Sequence, residues 1–305
     1  MSQRLVLVTG AAGGTQGQTG RHVSELLLAQ GVAVRAFVRR HDERARHLSA
    51  LGAEVVEGDF LDYKSVERAL RGVSTVYFAY PVQAGLLEAT AIMADAARKA
   101  GVTRLIDLVM LISSPDAPTP RMRENYLSER IFEWAGIGAA HVRATVFYEN
   151  VRALSAATIA RDGSILLPWG SVDTLVPLVS AEDVARVVAG ALTSTTIEAG
   201  SSHAVIGEVL ALRDIVAAFE RVLGRAVRYK EIPDQAWRDG ALARGFNAHA
   251  VEHLSKLWQA IRSAPRSTEV PDTIDRLGGR KPKRFDEFVR EQRAAFESPV
   301  PATQE

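Results

Sequence analysis

Five glycines fall in the stretch GAAGGTQGQTG, Gly10 to Gly20, between the apolar run Leu5-Val6-Leu7-Val8 and a stretch of helical periodicity, RHVSELLLAQG. Glycines at such a junction let the backbone approach a pyrophosphate, whose charge the N-terminus of the following helix favours. A plain tight turn is the alternative, but a strand before and a helix after is the context that dinucleotide binding needs. Two registers compete. Gly14, Gly17 and Gly20 complete the spacing next to the helix, whereas Gly10 and Gly13 meet Gln16 where a third glycine would stand. Phosphate contact is therefore expected from the Gly14 to Gly20 half, with Gln16, Gln18 and Thr19 beside it. Gly10 makes the turn, and the residues between form a small extra lobe.

Charge bears on which dinucleotide is bound. An NAD site ordinarily places an acid at the end of the second strand, where it accepts bonds from the ribose hydroxyls. This chain reads FVRRHDER there, with Arg39 and Arg40 and no carboxylate before Asp42. A guanidinium can hold a 2′-phosphate with two parallel bonds, so NADP is expected over NAD. A solvated basic turn is the competing reading. The histidines, His22, His41, His47, His141, His203, His249 and His253, contain no HExxH pattern. His249 and His253 stand four apart beside Glu252, but exposed polar positions on a helix explain that spacing, and no metal is expected.

These side chains need a scaffold. Residues 4–9 form a short, bounded apolar run, the mark of a buried parallel strand. Val23, Leu26 and Leu27 share a helical face that Gly31 closes. Further strands are expected at 32–38, 53–59, 74–81, 104–113 and 139–145, with helices between them, one of them over 122–135. Strands alternating with helices imply right-handed crossovers and a parallel sheet covered on both faces. The expected fold class is α/β, a doubly wound parallel sheet over residues 1–150, to which a strand and helix at about 172–192 return. Residues 151–298 are expected to form mainly a smaller substrate-binding domain with amphipathic helices at 212–223, 248–261 and 286–296. The tail 299–305 is expected to fray.

The segments VTGAAGGTQGQTGRHV, VRAFVRR, EGDFLD, VYFAYP and SAEDVARV together resemble the NmrA-like branch of the atypical short-chain dehydrogenase/reductase superfamily. The likeness runs from Leu5 to about Val188 and weakens toward the C-terminus, and the glycine motif carries a few extra residues. The resemblance implies a Rossmann domain, a small C-terminal domain and NADP(H). Asp59 and Phe60 look like the pair that flanks the adenine in that superfamily. Tyr80 and Pro81, where the fourth strand ends, either line the cofactor or pack a turn.

The superfamily's proton donor is a tyrosine with a lysine four residues on. NYLSER supplies Tyr126 and Arg130, on one helical face. Arginine can stabilise a tyrosinate by charge but cannot join a proton relay, so Tyr126 is read as a packing tyrosine before a catalytic one. Ser113 and Ser114 end the fifth strand near the superfamily's serine, or serve as turn residues before Pro115. Glu149 and Asn150, in TVFYENV, resemble a segment that passes the nicotinamide. There they bond substrate or carboxamide, or else cap the next helix.

With 305 residues, 47% of them hydrophobic, and a net charge of +1, the chain can bury a large core and shows no basic excess for nucleic acid. The absence of cysteine excludes disulfides and thiolate catalysis. No segment is long and apolar enough to cross a bilayer, and the N-terminal apolar run is too short for a signal peptide, so a soluble cytoplasmic protein is expected. Two functions are in view. One is an NADPH-dependent reductase of a small conjugated or aromatic carbonyl, imine or quinone-like substrate. The other is an NADP(H)-sensing regulator that binds cofactor and a partner protein without turnover. The oligomeric state is left open, a homodimer among the options.

Overall fold

The computed structural model describes residues 4–14, 18–264 and 267–297. The chain divides into two compact units, the first made of residues 1–144, 181–205 and 271–281, the second of 145–180, 206–270 and 282–305.

The first unit is built on a parallel sheet. Strands β1 (Leu5–Thr9), β2 (Ala33–Val38), β3 (Glu54–Glu57), β4 (Thr75–Phe78), β5 (Arg104–Met110) and β6 (Ala139–Ala144) lie in the order β3-β2-β1-β4-β5-β6, with Ser202–Val205 added outside β6. Every neighbouring pair is parallel. Val6, Leu7 and Val8 are fully buried because helices cover both faces, which is why the strand is apolar throughout rather than alternating. On one face Leu7, Phe37, Val76, Phe78 and Leu105 meet Val66, Met93 and Phe132 of helices Tyr63–Ala69, Leu86–Ala100 and Pro120–Trp134. Helix Thr19–Ala29 packs against helix Ala181–Thr193 on the opposite face. Because β1 lies between β2 and β4, the strand order reverses there. The carboxyl ends of β1, β2, β4 and β5 bound the crevice where doubly wound sheets hold their ligands.

The second unit has a three-stranded sheet, Glu208–Ala211, Leu175–Val179 and Val146–Phe147 in that order, and a parallel pair, Ser164–Leu167 with Arg228–Glu231. Its core is aromatic: Tyr148, Trp169, Phe219, Trp237, Trp258, Phe285, Phe288 and Phe296 are all buried.

Four boundaries differ from the expectations. The second unit begins at Thr145. Strand Leu175–Val179 belongs to that unit, since its hydrogen-bonded partners are Glu208–Ala211 and Val146–Phe147; only the helix after it returns to the large sheet. Residues 271–281 also join the first unit, where Arg186 Nη1 donates to the Gly278 carbonyl at 2.9 Å. The helix expected at 286–296 is two, Phe285–Glu291 and Arg293–Glu297, broken at Gln292.

Candidate functional site

At the end of β1 the Thr9 hydroxyl accepts from the Ala79 amide at 2.8 Å and faces the Ala79 carbonyl at 3.3 Å, tying the ends of β1 and β4 together at the switch point. The chain then turns at Gly10 and Gly13, with φ of 61° and 71°, and the Gly13 amide donates to the Gly10 carbonyl at 3.1 Å. Left-handed φ at both positions is what glycine allows at no steric cost. Gly14 is exposed, with open space where a side chain would begin. Gln16 and Gly17 lie outside the described residues.

Helix Thr19–Ala29 starts without a side-chain cap at Gln18 and without an acid in its first turn. Among the described residues no side chain caps its leading amides, and its positive dipole end favours an anion. The Thr19 hydroxyl accepts from the buried Tyr77 phenol at 2.9 Å, and burial pushes that phenol's pKa up. Gly20 has a packing role of its own, beside any contact its amide makes with a phosphate. A Cβ there would stand 2.6 Å from the Thr9 carbonyl oxygen and also collide with the Gly10 carbonyl, so its bare Cα serves the close approach of helix to strand.

At the end of β2, Arg39 and Arg40 are exposed and make no hydrogen bond or ion pair among the described residues. The nearest acid along the chain is withdrawn. Asp42 accepts from the Ala45 amide as a helix cap and from Arg44 at 2.6 and 2.9 Å, and the Arg44 bond holds its carboxyl below the usual range. Sequence reasoning missed Arg44, whose Nη1 also reaches the Gly13 carbonyl at 3.3 Å and so brings a guanidinium to the glycine turn. It missed Glu57 as well, which accepts from the His41 amide at 3.0 Å. Their signal was faint: Arg44 opens a short helix beside the strand end, and Glu57 is the last residue of β3.

Asp59 and Phe60 follow β3. The Asp59 carboxylate accepts from the Leu61 amide at 2.9 Å, closing its own turn. The Phe60 ring stands edge-on to Phe37, Phe78 and Tyr80 at 5.4, 5.7 and 5.3 Å, filling the gap between the ends of β2, β3 and β4. Tyr80 and Pro81 begin the loop after β4, where the Tyr80 hydroxyl donates to the Ala84 carbonyl at 2.9 Å. Ser113, beyond β5, is buried, and its hydroxyl has no partner among the described residues. A donor left in that state at a ligand-binding edge is available to something else.

Tyr126 and Arg130 lie on helix Pro120–Trp134, whose buried face is Arg121, Met122, Asn125, Ser128, Glu129 and Phe132. The Arg130 guanidinium sits 5.4 Å from the Tyr126 ring centre, over its face, and pairs with Glu133. It does not address the phenol oxygen. Glu149 and Asn150 belong to the second unit and stand in the first turn of helix Tyr148–Asp162, whose N-cap is Phe147. Neither is the cap. His253 also departs from expectation, since it is buried rather than exposed on its helix. No group of three or more His, Cys, Asp or Glu among the described residues is placed to hold a metal.

A buried charge cluster beneath the sheet was not legible at all. Asp107 on β5 and His141 on β6 are register neighbours, with His141 Nδ1 3.6 Å from Asp107 Oδ2 and Nε2 3.2 Å from Glu133 Oε1. Beside them Arg143 grips Glu129 bidentately at 2.7 and 2.9 Å. Burial pushes the Asp107 carboxyl up. Burial opposes charge on His141, but bonding to Asp107 and the neighbouring carboxylates outweigh it and raise that pKa too. A concavity of about 550 Å³ opens nearby among Val102, Thr103, Glu133, Gly136 and Gly200, but at the amino ends of β5 and β6, the wrong edge for a dinucleotide.

The sequence profile of the NmrA-like family matches residues 2–289. The chain is 32% identical to a (4-alkanoyl-5-oxo-2,5-dihydrofuran-3-yl)methyl phosphate reductase of Streptomyces griseus, over 96% of this chain and 99% of that one. It is 27% identical to an NAD(P)H azoreductase of Xenophilus azovorans, over 96% and 99%. Among solved structures, a Citrobacter triphenylmethane reductase complexed with NADP(H) superposes with a TM-score of 0.80 at 22% identity, over 94% of this chain and 99% of that one.

Proposed function

The chain belongs to the NmrA-like family, and from that premise we propose that it is an NADPH-dependent reductase of a small conjugated or aromatic carbonyl, imine or quinone-like substrate. The observation that carries the cofactor half is the end of β2, where Arg39 and Arg40 have no partner among the described residues while Asp42 is engaged by its own helix and by Arg44. A 2′-phosphate supplies the acceptor those guanidiniums lack, whereas Asp42 already accepts three bonds from its own helix and Arg44. The uncapped start of helix Thr19–Ala29 supports the pyrophosphate at the same edge.

Bound NADPH would supply a hydride, leaving the protein to orient and to shield. Thr9 and Gly10 shape the floor of the cleft, Tyr80 and Pro81 bound its β4 side, and Ser113 offers a buried hydroxyl at the end of β5. The Tyr126–Arg130 pair is stacked and drawn toward Glu133, so proton delivery by that pair is not part of the proposal. The substrate class is supported by relatives named for reducing an alkanoyl-oxo-dihydrofuranylmethyl phosphate and azo compounds.

The test is NADPH oxidation, followed at its absorbance, against a panel of quinones, enones, imines and azo dyes, with NADH in parallel. Turnover with NADPH is the expected result. Tight NADPH binding with no turnover across the panel would favour the sensor reading instead, and equal binding of NADH would overturn the cofactor assignment.

A further inference from the structure

Arg121 is placed against three local preferences. It stands in the first turn of helix Pro120–Trp134, where a positive charge opposes the helix dipole. Its side chain is 3% exposed, and no carboxylate pairs with it among the described residues; Glu124 on its own helix and Asp107 on β5 are the acids that feel its charge. Its Nε has no partner there. Burial lowers its pKa to about 10, which leaves it charged near neutrality. An arrangement that breaks local rules without local compensation points to a role elsewhere.

What Arg121 touches is the loop after β4. Nη2 donates to the Tyr80 carbonyl at 2.8 Å and Nη1 to the Gln83 carbonyl at 3.3 Å, while the guanidinium carbon lies 5.6 Å from the Tyr80 ring centre. The loop is closed from its other end by Gly85, whose φ of 96° suits glycine and whose Cβ would meet the Tyr80 hydroxyl at 2.8 Å. With the adenosine half of a dinucleotide directed to the end of β2, the other half would extend across the switch point toward the carboxyl ends of β4 and β5, where this loop begins.

We propose that Arg121 is a positioning residue of the cofactor site: it fixes loop Tyr80–Gly85 on the nicotinamide side, and its buried positive charge makes that side favour reduced over oxidised cofactor. The inference rests on the NADPH reading above. Its electrostatic part follows because the oxidised ring carries a positive charge that the reduced ring lacks, and a fixed cation in a poorly solvated place acts on that difference.

The experiment measures dissociation constants for NADPH and NADP⁺ with the wild-type chain, Arg121→Lys and Arg121→Gln, alongside thermal unfolding without cofactor. Arg121→Gln should weaken NADPH binding about tenfold and lower the preference for NADPH over NADP⁺ by about threefold to tenfold. Arg121→Lys keeps the charge but cannot span two carbonyls, so it should restore the preference while binding of both forms stays weak. A role in folding alone would move the unfolding midpoint and leave the preference unchanged. A folded Arg121→Gln with wild-type preference overturns the inference. Should that variant not fold, wild-type affinities in Arg121→Lys overturn it instead. Failure of the wild-type chain to bind NADPH at all would sink the cofactor reading and this inference with it.

Discussion

Replacing Gly20 by alanine should displace helix Thr19–Ala29, on which the proposed cofactor site depends. The new methyl would lie 2.6 Å from the Thr9 carbonyl oxygen and closer still to that of Gly10, where ordinary contacts begin near 3.4 Å, so helix and strand must part by at least roughly 0.8 Å. The obstacle is strand backbone, held on both sides by β2 and β4, and it cannot swing aside as a side chain would. Overpacking of this kind costs about 1–3 kcal/mol, against which alanine recovers about 1 kcal/mol of helix propensity. A net loss of up to about 2 kcal/mol corresponds to an unfolding midpoint lowered by up to about 8 °C. NADPH affinity should fall more steeply, by about tenfold or more, because the same shift moves the helix amides that would face the pyrophosphate. Calorimetry and fluorescence titration read the two effects separately. Gly14→Ala is the companion variant: it meets open space at negative φ, and should change both quantities little. Wild-type stability and affinity in Gly20→Ala would refute the reasoning, as would equal losses in the two variants.

Arg39→Ala and Arg40→Ala together should cut NADPH affinity by about tenfold to a hundredfold while leaving NADH binding nearly unchanged, since only the 2′-phosphate loses charged bonds; parallel losses for both cofactors would contradict the assignment. Tyr126→Phe should lower turnover by less than about tenfold, given that a working general acid contributes about a hundredfold or more; a loss of several hundredfold with NADPH affinity intact would make Tyr126 catalytic after all. The Asp107–His141 pair predicts a pH dependence of stability. Both groups bind protons more tightly folded than unfolded, so the folded chain is favoured at low pH and loses that advantage as pH rises, above 3.8 for Asp107 and above 6.5 for His141. The urea midpoint should therefore decline as pH rises through and above neutrality. Asp107→Asn, which removes the carboxylate that raises His141, should flatten that decline, and an unchanged slope would sink the argument.

Much of the first unit was legible because its signals are local. A parallel strand covered on both faces must be apolar along its whole length, as β1 is, and the glycines after it announce a turn into a helix. Arg39 and Arg40 could be found because the end of a strand is read directly from where its apolar run stops. Glycine spacing alone could not rank the glycines: Gly14 and Gly20 look equivalent in the chain, and only the nearness of Thr9 and Gly10 backbone separates one in open space from one with no room for a methyl.

What escaped were contacts between residues far apart along the chain. Asp107 sits inside a strand that otherwise reads as core, and nothing near it names His141 or Glu133 as partners. Arg121 reads as an ordinary charged residue early in a helix, and its bonds to Tyr80 and Gln83 span about forty positions. The assignment of residues 271–281 to the large sheet's unit has no compositional mark either. Periodicity, turn chemistry and strand-end charge are properties of neighbouring residues, so the chain by itself determined the doubly wound fold, the glycine turn and the basic end of β2. Which buried charges meet, which glycine is closed off and which loop a distant arginine holds depend on how strands and helices are brought side by side, and folding alone decides that.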